Sequence, residues 1–437
     1  MMKKTIVVIL VLALSCRIFS QNIDPVEDIE YKIRTAQYDS AIIAAKHFIG
    51  IDSTSSDLYY YLGTAYQSKY NFFNAEKAYL KANQLDTLNP SYQNALADIY
   101  EILGKDEDAI NIYYDQYLLD TLNIIPITKL ANIFRKKREY GSAIHYYQKA
   151  IILDPGNFYN YKLIAYCFNQ INIKTPAILY YGKALELNPY DQSTYGVLAN
   201  ILNSERLFTN AISICKKGLE IYSQDVSLKR VLAYSYYLNR EFGLSIDGFN
   251  ELISNGDSLL FNFKYQGLAY FENKDFTNAI HALKIAFDKD DKDTEITFYL
   301  GSALGRSGEH SEGIRFLLLT ENLLSSPPGE MASVFSELAN IELLRENYQK
   351  SLEYLKLAYK YQAEPLLSFK MAQLYDNYLS NKKLAMNYYD GYLTMLKEIR
   401  TDSLGVSGNN AINSQYQEIA KQRIQILTEE LFFESAK

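Results

Sequence analysis

The sequence has no tryptophan and only 3 cysteines, 4 histidines and 9 prolines among 437 residues. Each shortage excludes something. Three cysteines cannot staple a chain of this length as a disulfide framework. The histidines, His47, His145, His281 and His310, stand at no metal-ligand spacing from a cysteine or from one another. There is no nucleophile elbow and no phosphate-cradling glycine loop, so no catalytic residue, cofactor site or metal site can be nominated. Asp288 to Asp293 resembles the start of a calcium loop, but Asp293 stands where glycine is needed and Tyr299 where glutamate is needed. Basic runs are also missing. With a net charge of −7, the chain offers no sequence-independent nucleic-acid surface.

What is present is apolar and aromatic. Hydrophobic residues make up 48%, enough for a large core, and there are 40 tyrosines and 21 phenylalanines. Tyrosine tolerates one wet end, which suits an elongated body with much half-buried surface. The first twenty residues read as a signal peptide: Lys3 and Lys4, an apolar stretch from Thr5 to Ser15, then Ile18-Phe19-Ser20 before Gln21. Cleavage after Ser20 removes Lys3, Lys4 and Arg17 and takes the net charge from −7 to −10. The rival reading is a lipid anchor on Cys16, for which Ala13-Leu14-Ser15-Cys16 is a poor match because Ala13 replaces the usual leucine. No later stretch reaches membrane-span length. The expected location is export to the periplasm or outer membrane of a Gram-negative bacterium. Cys167 and Cys215 are expected to be buried free thiols.

The dominant signal is an internal period of 34 residues, running without a slip from residue 22 through nine windows to Pro327. Position 20 of each window is small: Ala41, Ala75, Ala109, Ala143, Ala177, Ala211, Ser245, Ala279 and Gly313. Position 8 is Gly or Ala in eight of the nine, from Gly63 to Gly301. Position 11 is bulky (Tyr66, Tyr100, Phe134, Phe168), as is position 24 (Tyr79, Tyr113, Tyr147, Tyr181). Within a window the apolar residues recur at helical spacing, and a short polar turn divides them. Each window therefore predicts two antiparallel helices, over 57–69 and 73–86 in the second. The small residues let the axes approach to roughly 8–10 Å. Pro155 and Pro189 fall where a helix must stop.

This pattern resembles the tetratricopeptide repeat family, most closely in Tyr59…Leu62-Gly63…Tyr66…Phe72…Ala75…Tyr79…Ala82 and Ala131…Phe134…Tyr140…Ala143…Tyr147…Ala150…Pro155. The resemblance implies an all-α fold, a right-handed superhelical solenoid of antiparallel helix pairs. The expected organisation is a signal peptide at 1–20, nine repeats over 21–327 and two degenerate helix pairs over 328–400. A loop and a C-terminal capping helix follow over 401–437. The first helix of the first window should be short or irregular, since Pro25, Asp28 and Lys32 stand at bulky positions. Ser325 to Gly329 reads as a linker, and Thr401 to Asn410 as a flexible loop.

In the family, positions 2, 5, 9, 12 and 13 of the first helices line a concave wall. Mapped here, the wall carries Asn132, Arg135, Lys136, Lys162, Tyr166, Asn169, Asn200 and Asn203, then Arg230, Tyr234, Tyr237, Lys264, Phe271 and Arg306. A basic, aromatic groove on an acidic body suggests an extended ligand bearing anionic groups. On that reading, changing Arg135, Lys162 and Arg230 together to Glu abolishes capture and spares helicity. The clamp that binds chaperone tails is absent, because Thr128, Leu163 and Tyr166 occupy its polar places. The implied function is a non-enzymatic protein-interaction scaffold of the bacterial cell envelope, holding another protein or an extended peptide. The alternative is a glycan-binding outer-membrane lipoprotein.

Overall fold

The computed structural model of the protein describes residues 24–324, 328–402 and 410–435. Among them are 23 helices and no strand. The signal segment, Ser325 to Pro327 and most of the loop expected at 401–410 lie outside the described residues. The helices fall into two compact units, Met1–Thr194 and Tyr195–Lys437, with the division inside the sixth window.

The first unit holds α1 (Pro25–Arg34), α2 (Tyr38–Ile51), α3 (Ser56–Ser68), α4 (Phe72–Leu85), α5 (Pro90–Ile102), α6 (Asp106–Leu119), α7 (Ile124–Lys136), α8 (Tyr140–Leu153), α9 (Phe158–Gln170) and α10 (Lys174–Leu187). It also takes in the start of α11 (Gln192–Ser204). The second unit continues with α12 (Phe208–Ile221), α13 (Val226–Leu238), α14 (Phe242–Ser254), α15 (Leu260–Glu272), α16 (Phe276–Lys289), α17 (Thr294–Ser307) and α18 (His310–Leu323). Its last helices are α19 (Pro328–Leu344), α20 (Tyr348–Tyr361), α21 (Pro365–Asn377), α22 (Lys382–Asp402) and α23 (Asn410–Ser435). Helix α1 is short, at 10 residues. Two expectations change. Pro328 and Gly329 start α19 rather than linking, since proline suits a first helical turn. Thr401, Asp402 and Asn410 are helical.

The pairs form as the period dictates. Every small residue at position 20 is buried, from Ala41 through Ala143 to Gly313, and so are Gly63, Ala97, Ala131 and their counterparts at position 8. Position 8 packs against position 24 of the partner helix: a Cβ built on Gly63 would lie 2.6 Å from the Tyr79 ring. Tyr79, Tyr113 and Tyr147 are among the largest fully buried side chains. Their hydroxyls are satisfied from within the same pair. Tyr79 donates to Gln67 at 2.7 Å, Tyr113 to Asp98 at 2.8 Å and Tyr147 to Asn132 at 2.6 Å.

Two devices reset the chain in each repeat. The turn after the first helix carries a left-handed residue at position 15, and it is seldom glycine: Tyr70, Arg138, Asn172, Arg206, Arg240 and Lys274 all have positive φ. The hydrogen bonds around it close the helix end, as where Asn71 N–H donates to Tyr66 O at 2.9 Å and Tyr70 N–H to Gln67 O at 2.8 Å. The next repeat usually opens on a polar cap at position 34, Leu259 before α15 being an exception. Asn89, Asn123, Asn157, Asp225 and Asp293 each accept a backbone N–H from the following helix.

Cys167 and Cys215 are buried and free, and burial pushes their thiols up to about 11 and about 12. Both stay protonated at neutral pH, so a disulfide-exchange reagent should label neither until urea unfolds the chain. Immediate labelling of either thiol in the native protein would contradict this packing.

Candidate functional site

In the first unit, α7 presents Asn132, Arg135 and Lys136, and α9 presents Lys162, Tyr166 and Asn169. Most are engaged with their own scaffold. The Tyr147 hydroxyl donates to Asn132 and accepts from Arg135 Nε at 3.3 Å. Lys136 pairs with Glu101 at 3.1 Å. Lys162 pairs with Asp191 at 2.8 Å and donates to Ser193 at 2.8 Å. Asn169 accepts from Lys174 at 2.7 Å, and Tyr166 meets the edge of Tyr140 at 6.3 Å. Burial raises the Asp191 carboxyl, but the Lys162, Thr194 and Ser193 hydrogen bonds outweigh it and hold the pKa below the ordinary value.

The second unit repeats this arrangement. Arg230 on α13 pairs with Asp257 at 2.5 Å, and Arg306 on α17 pairs with Glu337. Lys264 on α15 lies between Asp293 at 2.6 Å and Glu295 at 2.8 Å. Desolvation disfavours the Lys264 ammonium, but those two carboxylates override it and leave the pKa raised. Asn200 is exposed. Asn203 is buried and donates to Ser235 at 2.9 Å, so it is no wall residue. Phe271 is also buried, beneath the Arg306 guanidinium at 4.9 Å.

This corrects the basic groove. Lys136, Lys162, Arg230, Lys264 and Arg306 each have a carboxylate within salt-bridge distance, so their charge is cancelled locally. Two of the pairs, Lys162–Asp191 and Lys264–Asp293, tie a first helix at position 5 to the residue that opens the next repeat. Reversing Lys162 and Arg230 to Glu would set carboxylate against carboxylate and disturb the stacking itself. It is therefore no clean test of binding. Among the described residues Arg135 has no carboxylate within 4 Å.

Beside these ion pairs lies a cluster of aromatic rings that packs on the core and is partly open to solvent. Tyr234 and Tyr237 of α13 meet Phe261 and Tyr265 of α15, and all four rings are half-buried. Centroids lie 4.6 Å apart for Tyr234–Tyr265, 4.5 Å for Phe261–Tyr265 and 5.4 Å for Tyr237–Tyr265. Those planes meet at 63°, 50° and 60°, so Tyr265 stands across its neighbours, while Tyr234 and Tyr237 lie nearly parallel at 18° with centroids 6.4 Å apart. Burial, aided by neighbouring phenols and acids, pushes the Tyr237 and Tyr265 hydroxyls well above ordinary, so both remain protonated donors. Farther along, Tyr299 of α17 packs on Phe271 at 5.0 Å. Sequence reasoning missed Phe261, Tyr265 and Tyr299. Phe261 stands at position 2, a wall position, and was legible. Tyr265 and Tyr299 stand at position 6, outside the wall set.

The fold and this surface define a helix-pair repeat protein with an aromatic recess on successive first helices. Two stretches match the tetratricopeptide repeat, residues 127–157 and 266–322, so the chain contains tetratricopeptide repeats. Solved structures with related architecture include YrrB, described as a tetratricopeptide repeat protein with an unusual peptide-binding site. It is 24% identical, covers 43% of this chain and 94% of its own, and has a TM-score of 0.37. The Cut9–Hcn1 hetero-tetramer of the APC/C is 12% identical over 93% of this chain and 98% of its own, with a TM-score of 0.45. Yeast Tom70 is 14% identical over the same shares, with a TM-score of 0.40. No curated protein sequence is significantly similar to this chain. No helix among the described residues is long and apolar enough to cross a membrane.

Proposed function

We propose that the chain is a non-enzymatic scaffold whose second unit holds an extended segment of a partner protein in the nest of Tyr234, Tyr237, Phe261 and Tyr265. The observation that carries this reading is four half-buried rings converging from two successive first helices, beside cations already neutralised. Aromatic anchors of this kind dominate the energy of protein interfaces. The partner is selected by apolar and aromatic side chains and by backbone groups that accept from tyrosine hydroxyls, rather than by anionic charge. The signal-like N-terminal twenty residues support export to the cell envelope as part of this proposal, and metabolic lipid labelling of Cys16 would distinguish an anchored from a cleaved form.

The test is site-specific photo-crosslinking with an aryl-ketone residue at Tyr237 and, as control, at exposed Leu179. A discrete adduct from envelope extract is expected at Tyr237 and not at Leu179. It should vanish in a Tyr234→Ala/Tyr265→Ala background of unchanged helicity. The same adducts at both positions would reject the nest as the binding surface.

A further inference from the structure

A cavity of about 210 Å3 lies among α19, α20 and α21, apart from the aromatic nest. Its lining is mixed: Lys370, Gln373 and Asn377 of α21 and Asn340 of α19 are polar, and Leu343, Leu355 and Leu374 are apolar. The Lys370 ammonium is the unusual group. It reaches Asn340 Oδ1 at 3.1 Å and Ser336 Oγ at 3.5 Å, both neutral oxygens. Among the described residues no carboxylate lies within 4 Å of it, unlike Lys136, Lys162, Arg230, Lys264 and Arg306. Glu337 and Glu364 are near enough to be felt, but neither touches the ammonium, and Glu337 is taken by Arg306. Asn340 is fixed with its amide nitrogen on Glu337 at 3.1 Å, which turns its oxygen to the lysine. Desolvation holds the ammonium below the ordinary lysine pKa. A half-buried cation with no carboxylate in contact carries a cost that a bound anion would reduce.

We propose that this cavity binds a short-chain aliphatic monocarboxylate, its carboxylate on Lys370, Gln373 and Asn377 and its alkyl chain against Leu343, Leu355 and Leu374. Three features select this class. A single cation matches a single negative charge. The amides of Gln373 and Asn377 can donate to the second carboxylate oxygen. The volume falls below the roughly 300 Å3 at which pockets for drug-sized ligands begin, so a small acid fits and a larger one does not.

The experiment is ligand-observed NMR titration of the full chain with sodium butanoate, pentanoate and hexanoate, with pentanamide and pentylamine as matched controls. Saturable binding of at least one acid is expected, with neither control binding. Lys370→Gln should weaken the acid about tenfold or more, the loss expected for one hydrogen bond to a charged group. Gln373→Leu, at a half-exposed position, should weaken it without altering the circular dichroism melt, which keeps the result readable if Lys370→Gln changes stability. No saturable binding to the wild-type chain, or equal binding by Lys370→Gln, overturns the proposal. So does Lys370-dependent binding of an acetylated, amidated glutamate peptide in the absence of acid binding, because the cavity would then read a protein side chain.

Discussion

Replacing Arg423 by Ala should cost about 3 kcal/mol and loosen the C-terminal helix α23 from the second unit. The Arg423 guanidinium donates to both oxygens of Asp376, Nε at 2.8 Å and Nη2 at 2.7 Å. Asp376 sits on α21 with its side chain only 3% exposed. Its other donor is the Tyr389 hydroxyl at 3.3 Å. Taking the arginine away leaves a buried carboxylate with one long hydrogen bond, and the desolvation already incurred is no longer offset. Other ties of α23 include Ala420 and Leu427 in the core, Ile419 and Ile424 packed against it, Tyr416 on Phe369 at 4.8 Å, and Lys382 to Glu430 and Glu434. Hydrogen exchange should quicken across α23 and α22, while α13 to α16 keep their protection, because each repeat rests mainly on its neighbours. Asp376→Leu combined with Arg423→Leu should recover much of the loss, since removing both partners leaves no orphaned charge. Uniform loss of protection through the unit would show that α23 is not a local cap.

Ala143→Leu should destabilise the first unit by about 1–3 kcal/mol. Ala143 is fully buried on α8, in the cluster with Ala131, Ile144, Tyr147 and Leu163. An isobutyl group there must displace the α7 backbone or push Tyr147 off its rotamer, which would also break the hydroxyl contacts to Asn132 and Arg135. Urea denaturation followed by circular dichroism measures the cost. Exposed Leu179 changed to Ala gives the surface comparison, expected within about 0.5 kcal/mol of wild type.

The helix pairs were legible because their cause is periodic. Small residues at positions 8 and 20, and tyrosines at position 24, repeat in register and need no knowledge of distant contacts. Helix bounds fell one residue early against the expectation, Ser56–Ser68 for 57–69, because the cap at Ser55 sets the start. That signal was present and unused: Ser55, Asn89, Asn123, Asn157, Asp191, Asp225 and Asp293 all stand at position 34. The binding surface was less legible. Tyr234 and Tyr237 stood among the expected wall residues, but their ring partners Phe261 and Tyr265 belong to the next repeat, and which rings touch depends on how repeats stack. The supposed basic groove failed for a related reason. The partner of Lys162 lies 29 residues away at Asp191 and that of Arg230 lies 27 away at Asp257, pairings that the spacing within one helix cannot show. Asn203 failed because wall positions were taken from a regular repeat, whereas Ser235 draws its amide inward.

The central claim is that the closeness of paired helices, set by side chains reduced to hydrogen or methyl at fixed positions, makes this fold. Gly313 tests it in the barest form. A Cβ there would lie 2.7 Å from Gly305 N and 2.8 Å from Gly301 O, backbone atoms that cannot swing away. At Gly391, within α22, the same Cβ meets nothing within 4 Å. Urea denaturation of the two alanine variants should move in opposite directions. Gly313→Ala should lose about 2 kcal/mol, and Gly391→Ala should gain about 0.5–1 kcal/mol from helix propensity. Equal stability of Gly313→Ala and the wild type would contradict the account.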